Sequence, residues 1–353
     1  MAYVLSSLAD LDRAPHDALI DVRSPAEYAE DHIPGAFNLP VLDDAERARV
    51  GTIYSRENPF KARKIGAALV ASNAARHLET ALIDKDGGWR PLVYCWRGGQ
   101  RSGSFTSILK QVGWRAQTIE GGYRTYRRLV VRELYETPFT APVTLLGGNT
   151  GTAKTALLER LQARGVQVID LEGLAHHRGS VFGARPGGQP SQKAFETALA
   201  QVIGGLDQSR PVVIEAESSK VGQCMVPPAL WAAMKAAPRL EITAPLAARA
   251  RYLVSAYSDI IDDPARLADT LDKLRPFHAA GQIDDWQALA RAGDMQRLAA
   301  ELMAAHYDPR YAKGHEAAQR AQEIQLGDLK DEDLDRAVDR IAGGLSRDGA
   351  SGV

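Results

Sequence analysis

The chain has 353 residues, of which 45% are hydrophobic and 25% charged, enough for more than one domain with a buried core. Its 43 basic and 44 acidic residues give a net charge of −1, so an anionic partner must bind to local basic patches. Two cysteines exclude a disulfide-rich scaffold and a thiolate-rich zinc site. The first ten residues lack a signal-peptide pattern, and no window approaches the roughly 18 apolar residues of a membrane span. These features predict a soluble, cytoplasmic protein with reduced thiols and no membrane segment.

Short apolar runs alternate with helical patterns along the first part of the chain. The runs at 18–22 and 92–95 each end in a polar loop, and helical stripes lie between and after them. This alternation predicts a parallel sheet covered by helices on both faces, with ligand-binding loops at the carboxyl ends of the strands. We assign residues 1–135 to this first domain.

Two prolines within residues 136–142 interrupt the pattern and predict a linker. A second α/β domain then spans residues 143–250, with predicted strands at 143–146, 167–170, 212–215 and 240–243. From about residue 245 the strand signal ends. Residues 251–353 are therefore predicted to form a helical C-terminal region with a frayed end.

The segment YCWRGGQRSGS (94–104) places Cys95 between a strand and a helix. Such a loop directs backbone N–H groups and the positive end of a helix at one point, where an anion binds and a thiolate is stabilised. Arginines on both sides of the glycines add charge-assisted donors. The predicted oxyanion loop consists of Arg97, Gly98, Gly99 and Arg101. The alternative is a buried cysteine with only a structural role, which is the role expected for Cys224.

The segments DVRSPAEY (21–28) and HIPGAFNLP (32–40), together with the cysteine loop, resemble the rhodanese domain. The resemblance implies a loop cysteine that carries a chalcogen as a persulfide, and a structural ion pair between Asp21 and Arg23. Five residues separate Cys95 from Arg101, whereas rhodanese loops usually have four. Five is the spacing of the related phosphatase loop, and the wider ring suits a donor that bears a phosphoryl group.

Basic residues are concentrated after the cysteine loop, where nine basic residues and one acidic residue lie between Arg90 and Arg132. Arg124, Arg127 and Arg128 have helical spacing, with tyrosines between them. Two interpretations remain open. The helix is either a solvated basic surface or a source of contacts to RNA phosphates.

The segment LLGGNTGTAKTALL (145–158) follows a predicted strand and opens a helix. It fits the phosphate-loop pattern G-x-x-x-x-G-K-[ST], except that Ala153 replaces the second glycine. The loop N–H groups can cradle a phosphate, the lysine can reach its outer oxygens, and the threonine hydroxyl can hold Mg²⁺. Ala153 narrows the approach of the phosphate and disfavours ordinary nucleotide hydrolysis. The predicted diphosphate-binding residues are Gly148, Gly151, Lys154 and Thr155.

Four further motifs occur in order: DLEGLAHHRGSVFG (170–183), QPSQKAFE (189–196), EAESSKVG (215–222) and YDPRY (307–311). With the two loops, they resemble the tRNA 2-selenouridine synthase family over nearly the whole chain. The resemblance implies replacement of sulfur by selenium in wobble 2-thiouridine, with selenophosphate as donor and an S-geranyl intermediate formed from geranyl diphosphate. In this scheme Cys95 receives selenium as a selanyl-cysteine, and the phosphate loop holds the prenyl diphosphate.

The implied fold is α/β, with an N-terminal rhodanese-like parallel-sheet domain, a P-loop domain and a helical C-terminal region. The implied partners are tRNA, the two small substrates and a selenophosphate-synthesising enzyme. His176, His177 and Arg178 resemble family positions and either contact diphosphate or tRNA or shape their loop. Adjacent histidines without a third ligand predict no metal site, and no cofactor is predicted besides Mg²⁺ as an option. The alternatives are a cysteine-loop phosphatase or sulfurtransferase, and a non-enzymatic nucleotide-binding adaptor.

Overall fold

Two parallel sheets organise the chain into two units. The computed structural model describes residues 2–315 and 321–350. The first unit consists of Met1–Pro138 with Pro190–Gly205, and the second of Phe139–Gln189 with Leu206–Val353. The α/β class with parallel sheets and C-terminal helices, expected from the sequence, is confirmed. Residues 190–205 group with the first unit, whereas the sequence analysis placed them in the second domain.

The first unit contains a four-stranded parallel sheet with the order β2-β1-β3-β4. Its strands are β1 (Ala18–Asp21), β2 (Ala36–Asn38), β3 (Pro91–Tyr94) and β4 (Gln117–Thr118). Its helices are α1 (Asp10–Arg13), α2 (Pro25–Glu30), α3 (Asp44–Arg56), α4 (Pro59–Glu79), α5 (Gln100–Val112), α6 (Gly122–Val131), a π-helical turn at Arg132–Glu136 and, from the later segment, α9 (Gln192–Gly204). Asp21 lies opposite Tyr94, so β1 and β3 end together at the edge where Cys95 follows.

The core of the first unit forms between the sheet and the apolar faces of its long helices. Ile20 and Val93 have no exposed surface and belong to the same cluster as Phe105 and Leu109 of α5. The start of α4 is fixed by Asn58, whose side chain accepts two backbone hydrogen bonds, and by a proline at the first helical position.

The second unit contains a five-stranded parallel sheet with the order β11-β10-β5-β7-β6 and a small antiparallel hairpin, β8-β9. Its strands are β5 (Val143–Gly148), β6 (Gln167–Ile169), β7 (Val212–Glu215), β8 (Lys220–Val221), β9 (Cys224–Met225), β10 (Arg239–Thr243) and β11 (Ala321–Gln325). Its helices are α7 (Lys154–Ala163), α8 (Leu171–Leu174), α10 (Pro228–Ala236), α11 (Leu246–Ala256), α12 (Ser258–Ile261), α13 (Pro264–Asp272), α14 (Ala280–Ala292), α15 (Met295–Leu302), a π-helical turn at Met303–Tyr307, α16 (Asp308–His315) and α17 (Asp331–Ala350).

Strand β11 differs from the prediction that no strand follows residue 245. It pairs in parallel with β10 at the edge of the sheet. Its sequence, AQEIQ, has one large apolar side chain, Ile324, which is buried. A strand this short, with a single large apolar residue, gives too weak an alternation to be detected.

Two hydrophobic cores stabilise the second unit. One includes Leu146 of β5, Leu157 of α7 and Val338 of α17. The other lies within the C-terminal helices and includes Leu271 and Trp286, which are fully buried. In the part of the chain that the structure describes, no helix combines the length and apolar character needed to span a bilayer.

Cys224 lies in β9 and is buried, as expected for a structural thiol. Burial raises the pKa of its thiol. Gln189 Nε2 lies 3.8 Å from its sulfur. These surroundings fit a packing role for this cysteine.

Candidate functional site

The cysteine loop of the first unit has the strand–loop–helix order that the sequence predicted. Cys95 directly follows β3, Gly98 has a φ of +65°, and Gly99 is the residue before α5. The first N–H groups of a helix have no partner within it and carry the positive end of its dipole. The loop therefore places the cysteine beside an anion-binding element.

A turn that contains Gly121 and Gly122 lies against the backbone of this loop. Tyr123 N donates to the carbonyl oxygen of Cys95 at 2.8 Å, and Arg124 N donates to that of Trp96 at 3.0 Å. A Cβ at Gly122 would collide with the same oxygen of Cys95. Glycine at 122 is thus required by the close approach of the two backbones.

The sulfur of Cys95 is enclosed, since the residue is only 3% exposed and belongs to the hydrophobic core of the unit. Its Sγ lies 3.1 Å from Ser102 Oγ, which is also 3.3 Å from the carbonyl oxygen of Gly99. The serine has one proton, so a thiolate at Cys95 would draw that proton toward sulfur. A cavity of about 310 Å³ at the start of α5 is lined by Gln100 and Arg101 but not by Cys95. The sulfur is therefore nearly closed off from solvent in this conformation.

The two arginines of the predicted oxyanion loop have different surroundings. Arg101 Nη1 lies 2.7 Å from a carboxylate oxygen of Glu27, which Arg47 also contacts at 3.0 Å. Burial acts to raise the pKa of Glu27, but these arginines hold it below its ordinary value. Arg97 is exposed. Arg97 is thus accessible to an incoming anion, whereas Arg101 is engaged by Glu27.

A buried ion pair lies beneath the edge where β1 and β3 end. Arg23 Nη2 lies 2.6 Å from Asp21 Oδ2, and both residues are almost fully buried. The guanidinium also lies 4.0 Å from the ring centroid of Tyr123 and donates to the carbonyl oxygen of Asp31. The structural pair expected from the sequence is confirmed, and it connects β1 to α6.

The three arginines of α6 do not share one environment. Arg124 and Arg128 are exposed, while Arg127 forms an ion pair with Glu196 of α9. Tyr135 also donates to Glu196, at 2.7 Å. Arg127 therefore has a structural partner within the first unit, and the other two arginines face solvent.

The phosphate loop of the second unit (residues 148–155) connects β5 to α7. Gly148, Gly151 and Ala153 have φ values of +148°, +84° and +61°. Ala153 thus occupies the left-handed region in which the usual glycine would be unstrained. Lys154 Nζ donates to the carbonyl oxygen of Gly148 at 2.7 Å. The lysine lies across the loop, where it can contact a phosphate.

A cavity of about 800 Å³ opens at the phosphate loop. Gly148, Gly151, Lys154 and Thr155 all line it, so the structure brings the four predicted residues together. Three further cations line the same cavity: Arg178, Arg185 and Arg310. Arg185 Nε is buried and has no hydrogen-bond partner among the described residues. The cavity is suited to a polyanion.

The YDPRY motif holds the phosphate loop in place. Tyr311 Oη accepts a hydrogen bond from Gly148 N at 2.6 Å. Asp308 accepts one from Asn149 Nδ2 at 2.9 Å and two from Arg249, at 2.7 and 3.0 Å. Arg249 Nε in turn donates to a carbonyl oxygen of the loop at 3.0 Å. The conformation of the loop thus depends on residues from the C-terminal region.

Acidic residues lie at one side of this cavity. Burial, and then the Glu217 carboxylate, raises the pKa of Glu172 to about 8, although Lys154 opposes this effect. Burial and Glu172 raise the pKa of Glu215 well above its ordinary value. Asp170 accepts a hydrogen bond from Gly173 N and so caps α8. Within the described residues, no group of three or more potential ligands is arranged to hold a metal ion.

His176, His177 and Arg178, which resemble family positions, have different surroundings in the structure. His176 Nδ1 lies 2.8 Å from the carbonyl oxygen of Gly188, and His177 Nδ1 accepts a hydrogen bond from Gly179 N. Neither histidine is among the residues that line the cavity, whereas Arg178 lines it and pairs with Asp259 at 2.7 Å. The histidines therefore contact the backbone of their own loop, and Arg178 lines the cavity.

Comparison with known proteins agrees with this two-site arrangement. A rhodanese-like domain family matches residues 5–129, and the tRNA 2-selenouridine synthase AAA domain family matches residues 141–282. The tRNA 2-selenouridine synthase of Verminephrobacter eiseniae is 36% identical over 84% of this chain and 89% of its own length. The chain belongs to the tRNA 2-selenouridine synthase family.

Other relatives of the tRNA 2-selenouridine synthase family match over a shorter span. The Alcanivorax borkumensis synthase is 37% identical over 68% of this chain and 66% of its own length, slightly under two thirds. Among solved structures, the N-terminal domain of a putative ATP/GTP binding protein from Clostridium difficile 630 covers 37% of this chain with 30% identity and a TM-score of 0.33.

Several residues of this family member's site were not predicted from the sequence. Arg185 and Arg310 both line the cavity; Arg310 belongs to the YDPRY motif, whereas no sequence signal singles out Arg185. The YDPRY motif was recognised, but its contacts with the phosphate loop were not expected. Its two tyrosines and its aspartate, clustered within five residues, were the available signal.

Proposed function

We propose that this chain replaces the sulfur of wobble 2-thiouridine in tRNA with selenium. The proposal is carried by one observation: a chain of this family combines a cysteine in a loop between a strand and a helix with a cation-lined cavity at a phosphate loop. The first element suits chemistry at a chalcogen, and the second suits a leaving polyphosphate.

In the first step we propose that the thiocarbonyl sulfur attacks C1 of geranyl diphosphate. An S–C bond forms, the C–O bond breaks, and diphosphate takes the electron pair while N3 of the base loses its proton. Lys154, Arg185 and Arg310, which line the phosphate-loop cavity, stabilise the leaving group. Alkylation turns the sulfur into a good leaving group for the second step.

In the second step selenium replaces geranylthiol at C2. Selenium in selenophosphate is already at the selenide level, so the selanyl-cysteine implied by the resemblance would need an oxidant. We therefore propose that the Cys95 thiolate attacks phosphorus, which needs none. An S–P bond forms, the Se–P bond breaks, and selenide leaves to displace geranylthiol. Water then cleaves the S–P bond and releases phosphate.

The remaining expectations about partners form part of the proposal. Arg124 and Arg128 are exposed on α6 and can contact tRNA phosphates. A selenophosphate-synthesising partner enzyme, Mg²⁺ with the diphosphate and a cytoplasmic location stay predictions. For Mg²⁺, the Thr155 hydroxyl at the cavity wall is a candidate ligand.

The test uses 2-thiouridine tRNA with both small substrates and two variants. Cys95→Ala is expected to accumulate S-geranyl tRNA without selenation, and Lys154→Ala to lose geranylation. Cys224→Ala, at the packed cysteine, is the control and should retain both steps. Selenophosphate with radiolabelled phosphorus should label Cys95 transiently. Full selenation by Cys95→Ala would contradict the assigned nucleophile.

A further inference from the structure

A second, smaller cavity adjoins the phosphate-loop cavity. This apolar cavity, about 70 Å³ in volume, is lined mainly by residues of α11, α12, α13, α15 and the π-helical turn that follows. Four residues line both cavities: Thr150, Leu253, Tyr257 and Tyr307. The two cavities therefore share part of their lining, which includes Thr150 of the phosphate loop.

The lining of the apolar cavity excludes a nucleoside. Its surface consists almost entirely of carbon, and Met295, Leu298 and Leu302 of α15 line it without lining the phosphate-loop cavity. A base or ribose buried here would leave most of its hydrogen-bonding groups without partners, which is unfavourable. A hydrocarbon chain has no such groups.

We propose that the apolar cavity binds the distal end of the hydrocarbon chain of a prenyl diphosphate whose diphosphate lies on the phosphate loop. The α15 side chains that border only this cavity then limit the length of hydrocarbon that the site accepts. This inference rests on the proposed function for the identity of the diphosphate. The inference adds the position of the hydrocarbon chain and the residues that select its length.

The size of the cavity supports a role in measuring length. Its volume of about 70 Å³ is small beside the 800 Å³ of the phosphate-loop cavity, so it suits one end of a hydrocarbon chain rather than a whole ligand. The preceding carbons would lie along Leu253 and Tyr257, which border both cavities. Each methylene buried contributes about a fourfold gain in affinity.

The experiment fills the cavity from α15. Ala299 lines it and is half-buried, so Ala299→Phe should place a ring in the space of the chain. Calorimetry on the full chain would measure binding of geranyl diphosphate and inorganic diphosphate. We expect geranyl diphosphate to bind at least about tenfold more weakly, from the loss of two or more methylenes, with inorganic diphosphate unchanged. Ala292→Phe, at an exposed position of α14, is the control.

A second variant makes the test independent of how well a phenylalanine is accommodated. Leu298→Ala enlarges the cavity beside α15 and should shift binding toward the longer farnesyl diphosphate. The inference would be overturned if Ala299→Phe weakened binding of geranyl diphosphate and inorganic diphosphate equally. It would also be overturned if Leu298→Ala did not change the preference between geranyl and farnesyl diphosphate. If the unaltered protein binds geranyl and inorganic diphosphate equally, this inference fails and the proposed function stands. If it binds neither, the diphosphate part of the proposed function fails as well.

Discussion

Ala153 illustrates how a single residue can depart from a motif without loss of the local structure. Its φ of +61° lies in the left-handed region, which disfavours a residue with a Cβ by about 1–2 kcal/mol. Its methyl group is 3% exposed and belongs to the core around Leu157. Burial of one such group contributes about 0.8 kcal/mol. The two effects nearly cancel, which explains why alanine is tolerated here.

This balance predicts that Ala153→Gly changes the free energy of unfolding by less than about 1 kcal/mol. Gly151→Ala is the contrasting variant. Its φ is +84°, and its new Cβ would lie 3.0 Å from a backbone oxygen of Arg249, so a loss of about 1–3 kcal/mol is expected. Urea denaturation of both variants measures the difference. A larger loss for Ala153→Gly than for Gly151→Ala would contradict this account.

Glu172 predicts a pH dependence of stability. Its pKa in the folded protein is about 8, against an ordinary value of 4.5, because burial and Glu217 disfavour the carboxylate. The stability due to the protonated form is complete below pH 4.5 and is lost as the pH rises through 8. Glu172→Gln should therefore reduce the fall in unfolding free energy over this range by up to about 1.4 kcal/mol per pH unit. Urea denaturation at several pH values measures this slope, and an equal slope in the unaltered protein and in Glu172→Gln would contradict the account.

At the scale of single elements, α6 carries two kinds of arginine. Arg124 and Arg128 face solvent on the surface of the first unit, whereas Arg127 is held by Glu196 of α9. The sequence shows only their helical spacing, because Glu196 lies 69 positions away. The division between two exposed arginines and one with a structural contact therefore emerges only from the fold.

Substitution of these arginines should separate RNA binding from stability. Arg124→Ala and Arg128→Ala are each expected to weaken tRNA binding and to reduce the slope of log affinity against log salt by about 1. Their unfolding free energies should change by less than about 0.5 kcal/mol. Arg127→Ala should lower stability by about 1–3 kcal/mol, because Glu196 loses its cation while buried. Salt-dependent binding assays measure the first effect, and denaturation measures the second. A loss of stability in Arg124→Ala or Arg128→Ala as large as that in Arg127→Ala would contradict this separation.

Motifs that are continuous in sequence were predicted well, and contacts between distant segments were not. The strand before Cys95 and the helix that follows the phosphate loop were recognised because their signals are local. The contact of Tyr311 with Gly148 joins residues 163 positions apart, and no local pattern encodes it. The enclosure of Cys95 also depends on tertiary packing. Sequence thus identified both loops but not what supports or covers them.

At the scale of the whole molecule, the conformation of the phosphate loop depends on the C-terminal helical region. Asp308 accepts hydrogen bonds from the loop and from the buried Arg249. Asp308→Asn should destabilise the fold by about 2–4 kcal/mol and weaken diphosphate binding, because the arginine loses its counter-charge. Asp331→Asn breaks an ion pair in which the carboxylate is 87% exposed, so a loss below about 1 kcal/mol is expected. Similar losses for both variants in thermal denaturation would argue against this support.

The return of the chain to the first unit through α9 has a consequence for how such enzymes diverge. Thr197 donates to Asp31, and Glu196 receives the guanidinium of Arg127, so residues 190–205 complete a unit that is otherwise encoded far upstream. A recombination event with a single crossover after residue 138 would exchange an incomplete module. A hybrid keeps an intact first unit only if residues 1–138 and 190–205 come from the same parent. This requirement favours the joint descent of these two segments.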